Sequence, residues 1–367
     1  MSHNALRLGV AIRTGASIGN NKGDIRLSTL LGEYDSVLLS TGCMKAVTLP
    51  VRVGGAGGTL EPSSKSGGDP MRLLRDVEYG LDFLTELHRG ENKRVGRRVA
   101  VVGAGFTALD CARVARRLGA TEVTIHIRTT EEYIPGPHEE IFEAKREGIR
   151  LKGLRTPMGV VLDESGRLTG VEFVQNRLGG WRAGGRRVAL PIEGSEFVEP
   201  CDTLIIAVGQ QTVNDYVDVR MEIDRSGVVR VGSDGMTSVN GLFAAGDFVT
   251  GASTAIEAIA HGRKIAGKID AWLVGHERRS QRVRIEPVAG PQRDHAYDFI
   301  PRQNMPTLPL EQRTKILSGE VEIGMGPALG GEEAKRCYLR NLRYTIDIDR
   351  CIYCRACIAR RAVASSW

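Results

Sequence analysis

The chain has 367 residues, 41% of them hydrophobic and 26% charged, with a formal net charge of +6. That length carries two or three domains with a sizeable core, and the composition excludes a disordered or fibrous chain. The positive charge is spread out, with no interleaved aromatic residues, so no nucleic-acid partner is expected and an anionic cofactor or an acidic protein is.

No apolar run nears the roughly 18 residues of a membrane span, and no charged-then-apolar leader opens the chain. A cytoplasmic protein without a membrane partner is expected. Seven cysteines, four of them in the last 31 residues, argue against a secreted disulfide framework. Cys43, Cys111 and Cys201 stand alone in apolar or glycine-rich surroundings and are expected as buried thiols.

Residues 1–50 end in an apolar strand running into a Thr-Gly turn (33–42, EYDSVLLSTG). Residues 51–95 begin glycine- and serine-rich, which predicts a flexible linker, and continue into a helix over 75–88 with Leu81, Leu84 and Leu87 on one side. Residues 96–209 form the next zone. It carries the sequence 99–128 (VAVVGAGFTALDCARVARRLGATEVTIHIR), read as strand, glycine turn, helix and second strand. Gly103 suits the tight turn, Gly105 lets backbone approach a pyrophosphate, and Ala108 lets the helix lie close on the sheet, with Phe106 and Thr107 between them. The ordinary alternative is a packed βαβ unit without a ligand.

Arg128 stands at the end of the second strand, where a cation accommodates the phosphate of NADPH and a carboxylate favours the ribose of NADH. Glu131 and Glu132 follow closely, so both nucleotides stay open, with NADPH preferred. The zone closes on a continuous apolar run, 201–209, whose terminal Gly209 lets backbone pass near a ligand.

Residues 210–275 hold a strand ending in Gly246 and Asp247, then a small-residue turn including Ser253, then a helix from about 253 to 268. Asp247 there can accept bonds from polyol hydroxyls while the helix start offers N–H groups to an electron-rich ring, which suits a ribityl chain and flavin. The same arrangement also suits a plain strand-turn-helix connection with Asp as cap. Residues 276–336 read as an extended connector. In residues 337–367, Cys351, Cys354 and Cys357 have the C-x-x-C-x-x-C spacing of an iron-sulfur site. A zinc site and chance spacing are the alternatives.

The stretches 33–42, 98–113, 201–210 and 240–263 together resemble the glutamate synthase small-subunit-like family, FAD-dependent NAD(P)H oxidoreductases of the pyridine nucleotide-disulfide oxidoreductase superfamily. The resemblance implies an α/β, two-dinucleotide-binding-domain flavoprotein: a Rossmann-like NAD(P)H domain inserted in an incomplete FAD domain, with a short ferredoxin-like C-terminal tail. It implies that Gly103, Gly105 and Ala108 hold the NAD(P)H pyrophosphate and Arg128 the ribose phosphate. Gly246 and Asp247 would hold FAD, Thr254 and Ala255 would lie beside its pyrimidine ring, and Thr41 and Gly42 would line the same site.

The implied chemistry is hydride transfer from NADPH (or NADH) to FAD, with no catalytic acid or base; His126 and His261 are expected as structural positions. Electrons would pass to a 4Fe-4S cluster and a catalytic or electron-accepting partner subunit. Two departures from the family are visible. No strand-glycine-helix fingerprint precedes the Thr-Gly strand, and the cysteine motif lacks its fourth ligand, for which Cys337 is the candidate. A truncated, non-catalytic remnant that keeps only nucleotide binding is therefore the rival expectation.

Overall fold

A computed structural model describes residues 7–55, 58–60, 74–91, 93–134, 138–182, 186–276, 283–287, 299–317, 319–336 and 342–346. The chain divides into two units, Met1–Ile269 with Leu310–Gly319, and Asp270–Pro309 with Glu320–Trp367.

The first unit opens with helix α1 (Leu27–Glu33), strand β1 (Val37–Leu39) and the short strand β2 (Lys45–Ala46). Strands β3 (Arg52–Gly55) and β4 (Gly58–Leu60) then pair antiparallel, so the front of the glycine-rich stretch is sheet rather than linker. The difference has a physical cause: Val53 is buried, and β3 pairs with a strand a hundred residues further on, which local composition does not register. The expected helix over 75–88 is split. Its beginning is strand β5 (Val77–Tyr79), and helix α2 (Gly80–His88) carries the rest.

Strand β6 (Arg98–Val102), helix α3 (Phe106–Arg117), strand β7 (Glu122–His126), helix α4 (His138–Arg146) and strand β8 (Arg150–Lys152) follow in βαβαβ order. Three longer strands, β9 (Arg155–Leu162), β10 (Leu168–Arg182) and β11 (Arg186–Pro200), form an antiparallel meander. The chain then returns through strand β12 (Thr203–Ile206).

A five-stranded parallel sheet in the order β5-β12-β6-β7-β8 results. β6 and β12 are nearly continuous apolar runs, and β7 is buried from Val123 through His126, because the sheet is covered on both faces. One face packs on α3 and α4, where the small residues Ala108, Ala112 and Ala115 let the helix approach closely. The other face packs on the sheet β11-β10-β9-β3-β4 through Tyr79, Val102, Val160, Phe173 and Ile206.

Strands β13 (Gln210–Gln211) and β14 (Leu242–Ala244), helix α5 (Asp247–Thr250) and helix α6 (Ala255–Val274) complete the main run. β14 pairs in parallel with β1, and β13 pairs with β2. Helix α6 begins within two residues of the expected start and runs six residues further. Cys43, Cys111 and Cys201 are all buried, and burial pushes the Cys201 thiol up to about 12.

Helix α7 (Leu310–Arg313) belongs to this unit as well. Its Arg313 is fully buried and pairs with Glu143, with Glu147 at 3.8 Å. The Glu147 carboxylate is also fully buried and is shared by Arg113 at 2.9 Å and Arg117 at 3.4 Å. Removing one member of such a buried network typically costs about 3–5 kcal/mol, because a charge is left behind without its partner. The zone expected as an extended connector is thus anchored at its middle by a charged side chain.

In the second unit, strand β15 (Val283–Pro287) pairs antiparallel with strand β16 (Leu342–Ile346). Helix α8 (Pro327–Lys335) starts on a proline, whose missing N–H costs nothing in the first turn. Cys337, Cys351, Cys354 and Cys357 lie outside the described residues.

Candidate functional site

The strand order of the parallel sheet reverses between β6 and β12: β7 and β8 extend it one way from β6, and β12 and β5 the other. Ligands of open α/β sheets bind beyond the carboxyl ends of strands at such a switch point. Two glycine turns meet there, Gly103 after β6 and Gly209 after β12. A methyl group on Gly103 would run into the carbonyl oxygen of Ala207, itself tied into the ladder by its N–H to Val102 at 2.8 Å. Glycine is therefore demanded at 103 by the fold.

Gly105 differs. A methyl group there would meet no protein atom within 4 Å, so the protein itself does not require its absence. Gly105 is the N-cap of α3 with no side-chain cap bond and no acidic residue in the first turn. The N–H groups of Phe106 and Thr107 have no partner among the described residues. Open space, uncapped donors and the positive helix end make an anion cradle. Ala108 is buried against the turn, and Thr107 Oγ1 receives Gln210 Nε2 at 3.5 Å.

Arg128, just beyond β7, is exposed. Its carbonyl accepts Asn176 Nδ2 at 2.9 Å, which fixes the backbone from which the guanidinium projects. Lys145 binds Glu131 at 2.6 Å, so the nearby carboxylate that would oppose a phosphate already has a cation. His126 ends the same strand. It is 1% exposed, stacks on Phe173 at 4.4 Å, and neither ring nitrogen has a partner among the described residues. Burial, aided by the charge of Arg155, pushes its pKa down to about 3. A ring so strongly held neutral is no proton donor at physiological pH.

A second crevice forms where β1 and β14 end side by side. The ladder closes with the N–H of Ala245 on Leu39 O at 2.9 Å, and both chains then turn through glycine. Gly42 has φ +72° and Gly246 φ +66°. Thr41 Oγ1 lies 3.2 Å from the Tyr216 hydroxyl, placing a phenol at this turn that sequence reading missed. The Cys43 thiol donates to Asp247 O at 3.3 Å, and Ser253 Oγ to Asp247 Oδ1 at 2.6 Å. Burial and the neighbouring Asp247 charge raise the Cys43 pKa, so this sulfur is a thiol donor.

The start of α6 carries a capping box. Thr254 N–H donates to the Glu257 carboxylate at 3.0 Å, and Glu257 N–H to Thr254 Oγ1 at 3.3 Å. That leaves the N–H groups of Ala255 and Ile256 without partners among the described residues. Thr41, Gly42, Gly246, Asp247, Ser253, Thr254 and Ala255 thus share one crevice, and Gly103, Gly105, Phe106, Thr107, Ala108 and Gly209 the other. Among the described residues no cluster of His, Cys, Asp and Glu is arranged to hold a metal, and no helix is long and apolar enough to cross a membrane.

Two glycine turns at the ends of parallel strands, each leading to a helix start with N–H groups free among the described residues, stand in one unit, and residues 4–262 match the family described as pyridine nucleotide-disulphide oxidoreductase. The chain belongs to that family.

Relatives agree. The chain is 35% identical over 341 residues to the NADP(+)-dependent formate dehydrogenase subunit beta of Moorella thermoacetica, covering 90% of this chain and 45% of that one. It is 32% identical over 275 residues to the glutamate synthase (NADPH) small chain of Escherichia coli K12, covering 72% and 56%. The NADPH-Fe(3+) oxidoreductase subunit beta of Geobacter sulfurreducens is 32% identical over 289 residues, with 72% and 40% covered. The chain therefore spans about half the length of these relatives. Among solved structures, Mycobacterium tuberculosis FprA in complex with NADPH has a TM-score of 0.50 at 15% identity, covering 68% of this chain and 65% of that one. That likeness concerns the fold, the two-dinucleotide-binding-domain oxidoreductase architecture.

Proposed function

We propose that the chain is an electron-transfer subunit that takes hydride from NADPH in the first crevice to FAD in the second. The single observation that carries this reading is the uncapped start of α3 beneath Gly105, where space and donors await an anion that the fold itself does not supply. Arg128 selects the 2′-phosphate of NADPH over NADH, helped by the engagement of Glu131 with Lys145. Thr41, Gly42, Gly246, Asp247 and Ala255 would hold FAD, whose isoalloxazine supplies the hydride acceptor. The protein's contribution is grip, orientation and exclusion of water.

Cys351, Cys354 and Cys357, with Cys337 as fourth thiolate, are assigned to a 4Fe-4S cluster, which supplies one-electron transfer toward a partner subunit. The relatives named as beta subunits or small chains support such a partner. A remnant that binds nucleotide without turnover is the rival, favoured by the second crevice resting, among the described residues, on two paired strands.

Titration of the purified chain with NADPH and NADH tests the first assignment. Arg128→Ala is expected to weaken NADPH roughly tenfold, the size of one charge-assisted bond, and to leave NADH nearly unchanged. Equal weakening of both removes Arg128 from that role. Flavin and cluster absorption decide between enzyme and remnant, and Cys354→Ser should abolish bound iron while NADPH binding persists.

A further inference from the structure

The Gly246–Asp247 turn raises a question of accounting: where does the Gly246 N–H go? The β1–β14 ladder has already ended at Ala245, and Gly246 has φ +66° and ψ −153°, a backbone shape reserved for glycine. The N–H leaves the sheet and donates to Nδ1 of His261 at 3.1 Å. A buried or half-buried backbone donor needs such a partner, and here a side chain from α6 provides it.

This bond constrains the imidazole. A ring nitrogen that accepts a hydrogen bond carries no proton, so the hydrogen of the neutral ring resides on Nε2. His261 lies three residues after Ala258, whose Cβ would sit 3.9 Å from a methyl group on Gly246, and four before the buried Ile265. One stripe of α6 thus lies under the turn. The two side chains holding Asp247, Cys43 and Ser253, come from other segments. His261 binds the N–H of the glycine itself, while Thr250 Oγ1 donates to its carbonyl at 3.2 Å.

We infer that His261 is a positioning residue: its imidazole, held as the Nε2–H tautomer, sets the Gly246–Asp247 turn in the shape that grips FAD. This rests on the FAD reading of the second crevice. Asparagine places its amide oxygen near the position of Nδ1, whereas glutamine reaches toward that of Nε2, so the two separate this role from simple bulk.

The test uses the full chain with nitrogen-15 histidine labelling, FAD titration and amide exchange at Gly246. The ring is expected to show the Nε2–H tautomer, and Gly246 N–H to be protected in wild type and His261→Asn but exchanged rapidly in His261→Leu. FAD affinity should stay within about threefold in His261→Asn and fall at least roughly tenfold in His261→Gln and His261→Leu, with NADPH binding unchanged in all. An Nδ1–H or doubly protonated ring, unaltered Gly246 protection in His261→Leu, or equal FAD affinity in the Asn and Gln variants would overturn the inference. If wild type takes no FAD, the FAD reading fails, while tautomer and amide exchange still judge whether His261 holds the turn.

Discussion

The two crevices are built on the same plan, parallel strands ending in glycine turns, yet they are held in different ways. The one at β6 and β12 lies inside a five-stranded sheet, with strands on both sides and core clusters on both faces. The one at β1 and β14 lies on a two-stranded pair. In the first, the backbone ladder fixes the turns, and few side chains are needed. In the second, Cys43, Ser253, His261 and Tyr216 hold what a wider sheet would otherwise hold. Glycine is thus required by backbone crowding on top of a positive φ (+152°) at 103, and by backbone conformation alone at 246.

The largest expected effect is on the crowded side. Gly103→Ala drives a methyl group into the Ala207 carbonyl, which no side-chain rotation relieves, so β6 and β12 must separate locally. We expect a loss of about 3 kcal/mol in urea unfolding, at the upper end for overpacking, together with loss of NADPH binding. Gly246→Ala should cost less, about 1–2 kcal/mol, because the added methyl meets only ordinary contact and the penalty is that of a left-handed backbone. Its FAD affinity should fall while NADPH affinity stays. Equal costs at the two glycines would erase the distinction between crowding and conformation.

The smallest effect at neutral pH, and a sharper one in acid, concerns His126. Its folded-state pKa of about 3 lies below the roughly 6.5 of an unfolded histidine, so between these values the unfolded chain binds a proton that the folded chain refuses. Stability from this residue is complete above about pH 6.5 and drains away as pH falls toward 3, by up to about 1.4 kcal/mol per pH unit. His126→Phe, stacking on Phe173 in its place, should flatten that slope between pH 7 and 5 and change little at pH 7. An unchanged slope would place the acid sensitivity elsewhere.

What could be read from the sequence was local. Gly103, Gly105 and Ala108 fall within six residues between an apolar strand and a helix, and their roles need only that neighbourhood. The strand-to-helix junctions at Gly246 and Ala255 were legible for the same reason. What escaped depends on distant chain. Asn176 supports Arg128 from 48 residues away, and Tyr216 meets Thr41 across 175. Arg313 looks like a solvated charge in a polar segment until Glu143 and Glu147 are folded around it. The glycines at 54, 55 and 58 read as linker because nothing near them announces the strand that pairs with them. The capping box at Thr254 and Glu257 is the exception: its spacing was there to be seen.

The thiol of Cys43 and the carbonyl of Asp247 touch although 204 residues separate them. During synthesis at about 5–20 residues per second, the first of these waits roughly 10–40 s for the second to emerge. Closing so long a loop directly is entropically unfavourable and slow, but the segment between them folds into its own sheet and draws its two ends together. The connectivity thus favours one order of assembly, in which the five-stranded sheet β5-β12-β6-β7-β8 closes from residues between β1 and β14 and brings those two strands within reach of each other.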